Sequence, residues 1–323
     1  MQKRSLGRRL VAGLLLSATG IIAFLVIPSF AIVVLVPHWG PLRAAASPIK
    51  RVIVFARSMP GHDKRCSASD VWEALDGRRF RSAEAQIRAA EKVIAADGNL
   101  ILVGTPSGQF WIPAPDIDTL AEQLAEQKLD EYSHDVRAGE VVLDCGANVG
   151  VYTRIALDRG ARTVVAIELA PEPLACLRRT FEREIREGRV IVYPKGVWDK
   201  DTTLRLTTNP GLASAADSVA LNRGEEGPEV QLTTIDELVA ELRLPRVDFI
   251  NMDIEGSEAP ALRGAAKTLA TYKPRLEISM EHKQTDPDVL PALVLRLNPQ
   301  YQTQCGSCGM MTGRMQPEVL LAW

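Results

Sequence analysis

Acidic side chains are concentrated in one short stretch of the sequence, NMDIEGSE, Asn251 to Glu258. Asp253 ends a strand-like run, VDFINMD, and Glu255 and Glu258 lead into a helical pattern. A carboxylate at such a place can remove the proton of a hydroxyl group, hold the hydroxyls of a sugar, or ligate a divalent cation. Acidic residues also favour the positive N-terminal end of a helix, so a structural role for Glu255 and Glu258 is the competing interpretation.

A base is needed wherever an alkyl hydroxyl is to act as a nucleophile, because the protonated hydroxyl is a poor one. Asp253 is the first candidate for that base, or for a residue that positions the acceptor, and Glu255 is the second. His282 closes the strand-like run RLEISMEH and is the third candidate, although a single histidine at a strand end is more often structural. A divalent metal held by Asp253 and Glu255 stays an open alternative.

A turn that contains two glycines follows another strand-like run, GEVVLD. It reads DCGANVG, Asp144 to Gly150. Gly146 and Gly150 allow the backbone to turn sharply and to approach a ligand closely, and Asn148 tolerates the left-handed conformation better than most residues. The Asp144 carboxylate can orient the loop or accept a hydrogen bond from an amino group.

Glu168 ends the next strand-like run, TVVAIE. An acidic residue there can accept hydrogen bonds from both hydroxyls of a ribose, as in dinucleotide-binding folds. The preceding loop lacks the middle glycine of G-x-G-x-x-G, which lets a pyrophosphate lie against the turn. The combination favours an adenosine-containing ligand and a cofactor without phosphates.

Strand and helix patterns alternate along the second half of the chain. GEVVLD, TVVAIE, RVIVY, VDFINMD and RLEISMEH are apolar strand-like runs separated by helical patterns, and YQTQC and EVLLAW are suited to a closing antiparallel pair. This alternation predicts an α/β fold with a mostly parallel sheet covered on both faces. Ligands of such sheets bind outside the carboxyl ends of the strands, where the glycine turn and the acidic stretch stand.

The sequence divides into four predicted parts. A basic segment and an apolar run occupy residues 1–42, with the run itself at about 10–36, and a juxtamembrane linker follows over 43–81. Residues 82–132 form a small α+β preface, and 133–323 form the main domain.

The preface is predicted as a helix, a hairpin and a second helix. SAEAQIRAAEKVIAA has apolar residues at helical spacing, so the first helix is placed at Ser82 to Ala96. LILVG and QFWIP flank a TPSG turn and form the hairpin. The second helix runs from about Asp118 to Tyr132.

The apolar run 10–36 is longer than the ~20 residues that a membrane-spanning helix needs. It predicts a single-pass membrane protein, with a cleaved signal peptide as the alternative because basic residues precede the run and three alanines follow it. The basic residues on the two sides almost balance, so charge alone leaves the orientation open.

Composition excludes some classes of function. The 38 basic and 40 acidic residues give a formal charge of −2, which creates no broad positive field for nucleic acid. Five scattered cysteines do not form a secreted disulfide framework and favour a reducing compartment. CGSC, Cys305 to Cys308, has redox or half-zinc spacing, but no second pair accompanies it.

Four segments together resemble the FkbM-type methyltransferases: VVLDCGANVGVYTRIA, VVAIELAPEPLACLRR, TTIDEL and VDFINMDIEGSEAPALRGAAKTLATYKPRLEIS. The resemblance covers roughly Tyr132 to Glu281, and DIEGSE is its most specific element. It implies the class I methyltransferase fold, a Rossmann-like sheet of seven strands whose last strand is antiparallel. It also implies S-adenosylmethionine as the methyl donor and O-methylation of a hydroxyl, often on a sugar or a polyketide-type product.

Carried over by the resemblance, Asp144, Gly146, Asn148 and Gly150 form the cofactor loop and Glu168 holds the ribose. Asp253 and Glu255 fall in the acidic motif of the family.

The chain departs from the family pattern in two places. The family pattern often has a proline one residue after the strand-end acid, whereas this chain has Glu168-Leu169-Ala170-Pro171. Asn251 and Met252 stand where a lysine commonly precedes the aspartate of the acidic motif.

S-adenosylmethionine is a cytosolic metabolite, so the catalytic domain is expected to face the cytoplasm. The expected acceptor is a small molecule or a glycan, with a lipid-linked glycan suggested by the membrane segment. Two alternatives from other classes are a nicotinamide-dependent oxidoreductase and a membrane-tethered binding protein without catalytic activity.

Overall fold

The computed structural model describes residues 62–129, 136–208, 217–221, 225–311 and 314–323. The predicted membrane span at 10–36 and the first part of the predicted linker lie outside these residues.

The N-terminal part of the described chain is a small α+β segment. Its elements are α1 (Ala68–Asp76), α2 (Arg78–Ala90), β1 (Lys92–Asp97), β2 (Leu100–Thr105), β3 (Gly108–Pro113) and, after a 3₁₀ turn at Ala114–Asp116, α3 (Ile117–Leu129). The strands form an antiparallel sheet in the order β1-β2-β3. The β2–β3 hairpin follows the sequence prediction.

Two predictions for this segment are wrong. The helix placed at Ser82 to Ala96 ends at Ala90, because Lys92–Asp97 form a strand that pairs with β2 across a turn at Gly98 (φ +62°), with the β-branched Val93 opposite Val103. Residues 68–76 and 78–81, assigned to a linker, are helical instead, and Gly77 separates the two helices in the left-handed conformation. Ser67 accepts a hydrogen bond from the Asp70 backbone N–H, and the Asp70 side chain accepts one from Ser67, which forms a capping box.

In the main domain, strands and helices alternate at first, and the order becomes less regular after the third strand. Its elements are β4 (Val141–Cys145), α4 (Val151–Asp158), β5 (Thr163–Ile167), α5 (Pro171–Thr180), α6 (Glu182–Arg186), β6 (Val190–Tyr193), β7 (Gly196–Val197), β8 (Thr202–Thr208), β9 (Glu225–Thr233), α7 (Ile235–Glu241), β10 (Phe249–Met252), α8 (Glu258–Arg263), α9 (Ala266–Thr271), β11 (Arg275–Ser279), α10 (Asp286–Leu297), β12 (Thr303–Cys305), β13 (Cys308–Met311), β14 (Arg314–Pro317) and β15 (Val319–Ala322).

A seven-stranded mixed sheet organises the main domain, in the order β12-β15-β11-β10-β4-β5-β6. β4, β5, β6, β10 and β11 are parallel neighbours, and β15 runs antiparallel between β11 and β12. The prediction of a seven-stranded, mostly parallel sheet with an antiparallel last strand is confirmed. β4 and β10 lie side by side, so the two stretches that follow them meet at the same edge.

Alternating side chains of the strands build the two faces of the core. Val141 and Leu143 of β4 pack on the face covered by α7 to α10, and Val142 packs on the face covered by α4 and α5. The N-terminal segment shares a third apolar cluster with α4 and α5, to which Leu120 and Leu124 of α3 belong.

The predicted membrane localisation is corrected. Within the residues that the structure describes, no helix is long and apolar enough to cross a membrane. α2 and α3 have 13 residues each, whereas a span needs ~20. The predicted single-pass topology with a cytoplasmic catalytic domain is therefore wrong for this part of the chain.

The cysteine prediction is also corrected. Cys66 and Cys308 form a disulfide that joins the loop before α1 to β13. Cys145, Cys176 and Cys305 are free thiols, so the two cysteines of CGSC do not act as one unit. The paired residues are 242 positions apart, and cysteine spacing alone gives no sign of such a bond.

We expect the disulfide to stabilise the native state by constraining the unfolded chain over a long loop. Cys66→Ser and Cys308→Ser should each lower the free energy of unfolding by about 2–4 kcal/mol. The measurement is chemical denaturation of the purified protein, with Cys305→Ser as the control that changes little. A non-reducing peptide map that links Cys305 instead would contradict the pairing.

Candidate active site

The glycine loop between β4 and α4 adopts the left-handed conformation at three positions. Gly146 has φ +86°, Asn148 has φ +47° and Gly150 has φ +95°. The backbone N–H groups of Gly146 and Ala147 both donate to the carbonyl oxygen of Ile167 at 3.0 Å, which ties the loop to the end of β5. Asn148 thus takes the place of a third glycine, as its tolerance of this conformation predicts.

A glycine is needed at position 146 for two reasons: its backbone conformation and the lack of space for a side chain. A Cβ atom at this position would lie 1.8 Å from the carbonyl oxygen of Asp253. The Asp253 backbone N–H in turn donates to the carbonyl oxygen of Cys145 at 3.0 Å. The glycine loop and the segment after β10, residues 253–257, here called the acid loop, therefore touch through their backbones.

Gly150 and Asp144 lie behind the loop rather than at its open surface. A Cβ atom at Gly150 would lie 2.2 Å from Cε2 of Phe181. The fully buried Asp144 carboxylate accepts hydrogen bonds from Thr153 Oγ1 at 2.5 Å and from Asn251 Nδ2 at 3.0 Å. Burial raises the pKa of Asp144, and these two bonds oppose the rise. Asp144 joins α4 and β10 to β4, so the structure does not bring it to a ligand.

Glu168 is held in one orientation at the end of β5. Its Oε1 accepts hydrogen bonds from the backbone N–H groups of Leu169 and Ala170, both at 2.7 Å, and its Oε2 accepts one from Asn148 at 2.9 Å. Burial raises the pKa of Glu168, and the three backbone bonds oppose that rise. Oε2 keeps acceptor capacity for a ligand hydroxyl, because it accepts one hydrogen bond whereas Oε1 accepts two.

A first cavity opens beside Glu168, on one side of the glycine loop. Gly146, Asn148 and Asp253 form part of its wall. Apolar side chains line the rest, among them Leu169, Val197 and Leu232. Apolar walls beside a fixed carboxylate suit an adenine ring attached to a ribose.

Ser257 also lines this first cavity. Ser257 is 2% exposed, and its hydroxyl has no hydrogen-bond partner among the described residues. It precedes α8 without capping it. Sequence reasoning missed Ser257, because a serine before a helix is normally a cap.

Asp253, Glu255, Glu258 and His282 form a charged cluster under the acid loop. Nε2 of His282 lies 3.4 Å from Oδ1 of Asp253 and 3.5 Å from Oε1 of Glu255, and its Nδ1 lies 3.0 Å from Oε1 of Glu258. The structure thus brings together all three predicted catalytic residues.

The buried His282 is protonated at neutral pH. Burial alone lowers its pKa, but hydrogen bonds to Glu255 and Glu258 and the charge of Asp253 outweigh burial and raise the pKa to about 12. A cationic imidazole has no free lone pair, so His282 is not the base that removes a proton.

Asp253 is the carboxylate of the cluster that faces open space, with its side chain 51% exposed. Desolvation at the floor of the cavities raises its pKa to about 6, a rise that includes repulsion from Glu255 and is opposed by His282. Such a group is largely ionised at neutral pH and still binds a proton readily, which suits a general base.

Glu258 has a structural role. Only 1% of its side chain is exposed, and Oε1 accepts hydrogen bonds from the backbone N–H groups of Ile254 and Gly256 at 3.1 and 3.2 Å. Burial raises the pKa of Glu258, but the hydrogen bond and charge of His282 outweigh it, so the pKa is lowered. Glu258 therefore fixes the acid loop from beneath.

The acid loop is strained at Glu255, which has φ +51° although it is not a glycine. Ser218 Oγ donates to the Glu255 carbonyl oxygen at 2.7 Å, and Lys283 Nζ donates to that of Gly256. These contacts hold the Glu255 carboxylate toward His282.

Asp253, Glu258 and His282 each present one potential metal-ligating atom, and these atoms lie within 4.8 Å of one another. A metal ion would have to displace the proton of His282, whose pKa is raised to about 12. The same atoms form the ion pairs of His282 with Asp253 and Glu258, so a metal ion and the protonated imidazole exclude each other at this place.

A second cavity, of about 300 Å³, lies on the other side of the glycine loop. It is bounded by α3, by Tyr152 of α4 and by the carboxyl ends of β10 and β11, and Asp253 and Glu255 line both cavities. Glu277 and Glu281 also face it, and sequence reasoning missed both. An acidic residue within the otherwise apolar run RLEISMEH was the available signal.

The comparisons with known proteins agree with this geometry. The model of the methyltransferase FkbM domain family matches residues 144–305, which is half of the chain. The AMB antimetabolite synthetase AmbE of Pseudomonas aeruginosa is 27% identical over 238 residues, which cover 61% of this chain and 11% of that protein. The 31-O-demethyl-FK506 methyltransferase FkbM of Streptomyces tacrolimicus is 28% identical over 158 residues, which cover 40% of this chain and 61% of that protein. The chain thus spans less than two thirds of either relative.

Solved structures show more distant likenesses. Methyltransferase FkbM from Methylobacillus flagellatus KT is 19% identical, with a TM-score of 0.45, and the match covers 86% of this chain and 60% of that one. TYW2 of M. jannaschii, solved in complex with AdoMet, is 14% identical, with a TM-score of 0.40 and coverage of 72% and 88%. Neither likeness carries a functional argument. The family match does not support the oxidoreductase and binding-protein alternatives: the chain belongs to the FkbM methyltransferase family, a family of S-adenosylmethionine-dependent methyltransferases.

Proposed function

We propose that the protein is an O-methyltransferase that acts on a hydroxyl of a small-molecule acceptor, such as a sugar or a natural product. The donor occupies the first cavity and the acceptor the second. The observation that carries the proposal is the position of Asp253, which lines both cavities at the place where they meet.

The residues of the first cavity fit S-adenosylmethionine. Glu168 offers a fixed carboxylate for the ribose hydroxyls, and Leu169 and Val197 offer apolar surface for the adenine. The glycine loop brings backbone rather than side chain against the ligand at Gly146. When bound, S-adenosylmethionine supplies an electrophilic methyl group on a positively charged sulfur.

The chain's own groups then align and deprotonate the acceptor. Asp253 accepts the proton of the acceptor hydroxyl, which makes that oxygen the nucleophile for the methyl group that the donor would supply. His282 stays protonated and keeps the pKa of Asp253 from rising further, so that the carboxylate is ionised when the acceptor arrives.

Asp253→Asn is expected to lower kcat by about 10²–10⁴-fold, because the amide cannot accept the proton. S-adenosylmethionine should bind the variant with nearly unchanged affinity, measured by isothermal titration calorimetry. Transfer is measured with labelled donor against a panel of sugars and natural-product hydroxyls. Asp158→Asn, an exposed change on α4, is the matched control. Full activity of Asp253→Asn would remove this residue from the mechanism.

Glu168→Gln should weaken the binding of S-adenosylmethionine by about 10-fold or more, because a hydrogen bond to a charged acceptor is lost. The change removes the charge while keeping the shape of the side chain. The readout is the dissociation constant from calorimetry, and Glu182→Gln on the exposed face of α6 serves as the control. Equal affinity in Glu168→Gln and wild type would show that the donor does not occupy the first cavity.

The rate of transfer is expected to rise with pH through a midpoint near 6. The pKa of Asp253 is raised to about 6, and only the ionised form accepts a proton, so activity is lost as pH falls through that value. His282→Gln should move the midpoint to higher pH, because the charge of His282 lowers the pKa of Asp253. The measurement is kcat/KM between pH 5 and 9, with circular dichroism to confirm folding. An unshifted midpoint in His282→Gln would contradict this coupling.

A further inference from the structure

Ser257, the last residue of the acid loop, has a hydroxyl that the fold does not use. Its backbone is fully engaged: the N–H group donates to the carbonyl oxygen of Ile254 at 3.2 Å, and the carbonyl oxygen accepts from the N–H group of Ala261 at 3.0 Å. The hydroxyl has no hydrogen-bond partner among the described residues, although the residue is buried. A buried polar group without a partner costs free energy, so its presence is normally explained by a ligand or by an ordered water.

A second buried serine in the same cavity shows what a structural role looks like here. Ser218 Oγ donates to the carbonyl oxygen of Glu255 at 2.7 Å and accepts from the N–H groups of Ala220 and Leu221 at 3.0 and 2.9 Å. This hydroxyl therefore uses its donor and both of its lone pairs within the protein. Ser257 is as deeply buried but holds no part of the backbone through its hydroxyl.

The position of Ser257 relates it to one part of the donor. Ser257 lines the first cavity but not the second, whereas Asp253 lines both. With the methyl group placed where the cavities meet, Ser257 faces the remainder of the donor. Apolar side chains of Leu169, Val197 and Leu232 line the same cavity. Apolar walls combined with a few polar groups suit a flat heteroaromatic base whose edge forms hydrogen bonds.

The ribose already has its own partner. The Glu168 carboxylate is fixed by three backbone N–H groups and is suited to the ribose hydroxyls. The adenine base carries an amino group that donates hydrogen bonds and ring nitrogens that accept them. A serine hydroxyl both donates and accepts, and it turns among staggered positions about one bond, so it can match either kind of atom.

We propose that the hydroxyl of Ser257 forms a hydrogen bond with the edge of the adenine base and so positions the donor in the first cavity. This inference rests on the proposed function, which places the donor there, and it adds a donor-positioning residue. The support is rigid, because Glu258 accepts hydrogen bonds from the backbone N–H groups of Ile254 and Gly256 beside it. One short loop then carries both the residue that positions the base of the donor and Asp253.

The first test is the affinity of the full chain for S-adenosylhomocysteine, measured by isothermal titration calorimetry. Ser257→Ala should raise the dissociation constant about 3–10-fold, because one hydrogen bond in a buried site is lost. Ser107→Ala, in the exposed turn between β2 and β3, is the matched control and should change nothing. An unchanged dissociation constant in Ser257→Ala would overturn the inference.

A double-mutant cycle separates a hydrogen bond from altered packing. The ligands are analogues of S-adenosylhomocysteine in which N1, N3 or N7 of the base is replaced by C–H, or the amino group by hydrogen. The analogue that lacks the partner atom should bind the wild type more weakly than the parent compound does, and should bind Ser257→Ala and the wild type equally well. An equal loss in Ser257→Ala for the parent compound and every analogue would mean altered packing and would contradict the proposal.

Thermal unfolding supplies a readout that a structural serine would not give. Without ligand, Ser257→Ala should unfold at the same Tm as the wild type or higher, because the change removes a buried hydroxyl that has no partner among the described residues. The rise in Tm on adding S-adenosylhomocysteine should be smaller in the variant. If the hydroxyl held a structural water instead, the free variant would unfold at a lower Tm and bind the ligand normally, which would overturn the inference.

Glu168→Gln, titrated in parallel, separates this inference from the proposed function. If Glu168→Gln weakens binding and Ser257→Ala does not, the donor lies in the first cavity and only the role of Ser257 is wrong. If neither change alters the affinity, the donor does not lie in the first cavity, and the proposed arrangement of donor and acceptor fails as well.

Discussion

Backbone contact between the glycine loop and the acid loop is the constraint on which the site depends. β4 and β10 are parallel neighbours, so their carboxyl ends deliver Gly146 and Asp253 to the same point of the sheet edge. Only a residue without a Cβ atom fits at Gly146, because the Asp253 carbonyl oxygen occupies that space. The contact divides the space above the sheet into two cavities and leaves the Asp253 carboxylate at the place where they join.

Electrostatic balance under the acid loop explains why several acidic residues can share so small a volume. Protonated His282 lies between Asp253, Glu255 and Glu258, and each of these carboxylates offsets part of the cost of burying the imidazolium. The raised pKa of His282 means that the imidazolium side of this ion-pair stabilisation is lost as pH rises from the ordinary histidine value toward about 12. Asp253, whose pKa is raised to about 6, titrates close to the working range of pH.

Local sequence patterns were sufficient for the sheet and for part of the site. Apolar strand runs and helical spacing predicted the alternation of strands and helices around β4, β5 and β10. The tolerance of Asn148 for the left-handed conformation predicted the turn of the glycine loop. They were not sufficient where distant segments meet. Asp144 looks like a ligand-binding acid in sequence, yet Thr153 and Asn251 enclose it, and the Cys66–Cys308 bond depends on how the two ends of the described chain fold together.

The two cavities are bounded by parts of the chain that are held in different ways. The residues that line the first cavity belong to the strand ends and loops of the main domain, where a change in backbone would disturb both cavities. The polar face of α3 lies on a segment that precedes the main sheet and touches it through apolar side chains such as Leu120 and Leu124. Substitutions on that polar face leave this packing intact, so one wall of the second cavity can change while the backbone contact between the glycine loop and the acid loop is kept.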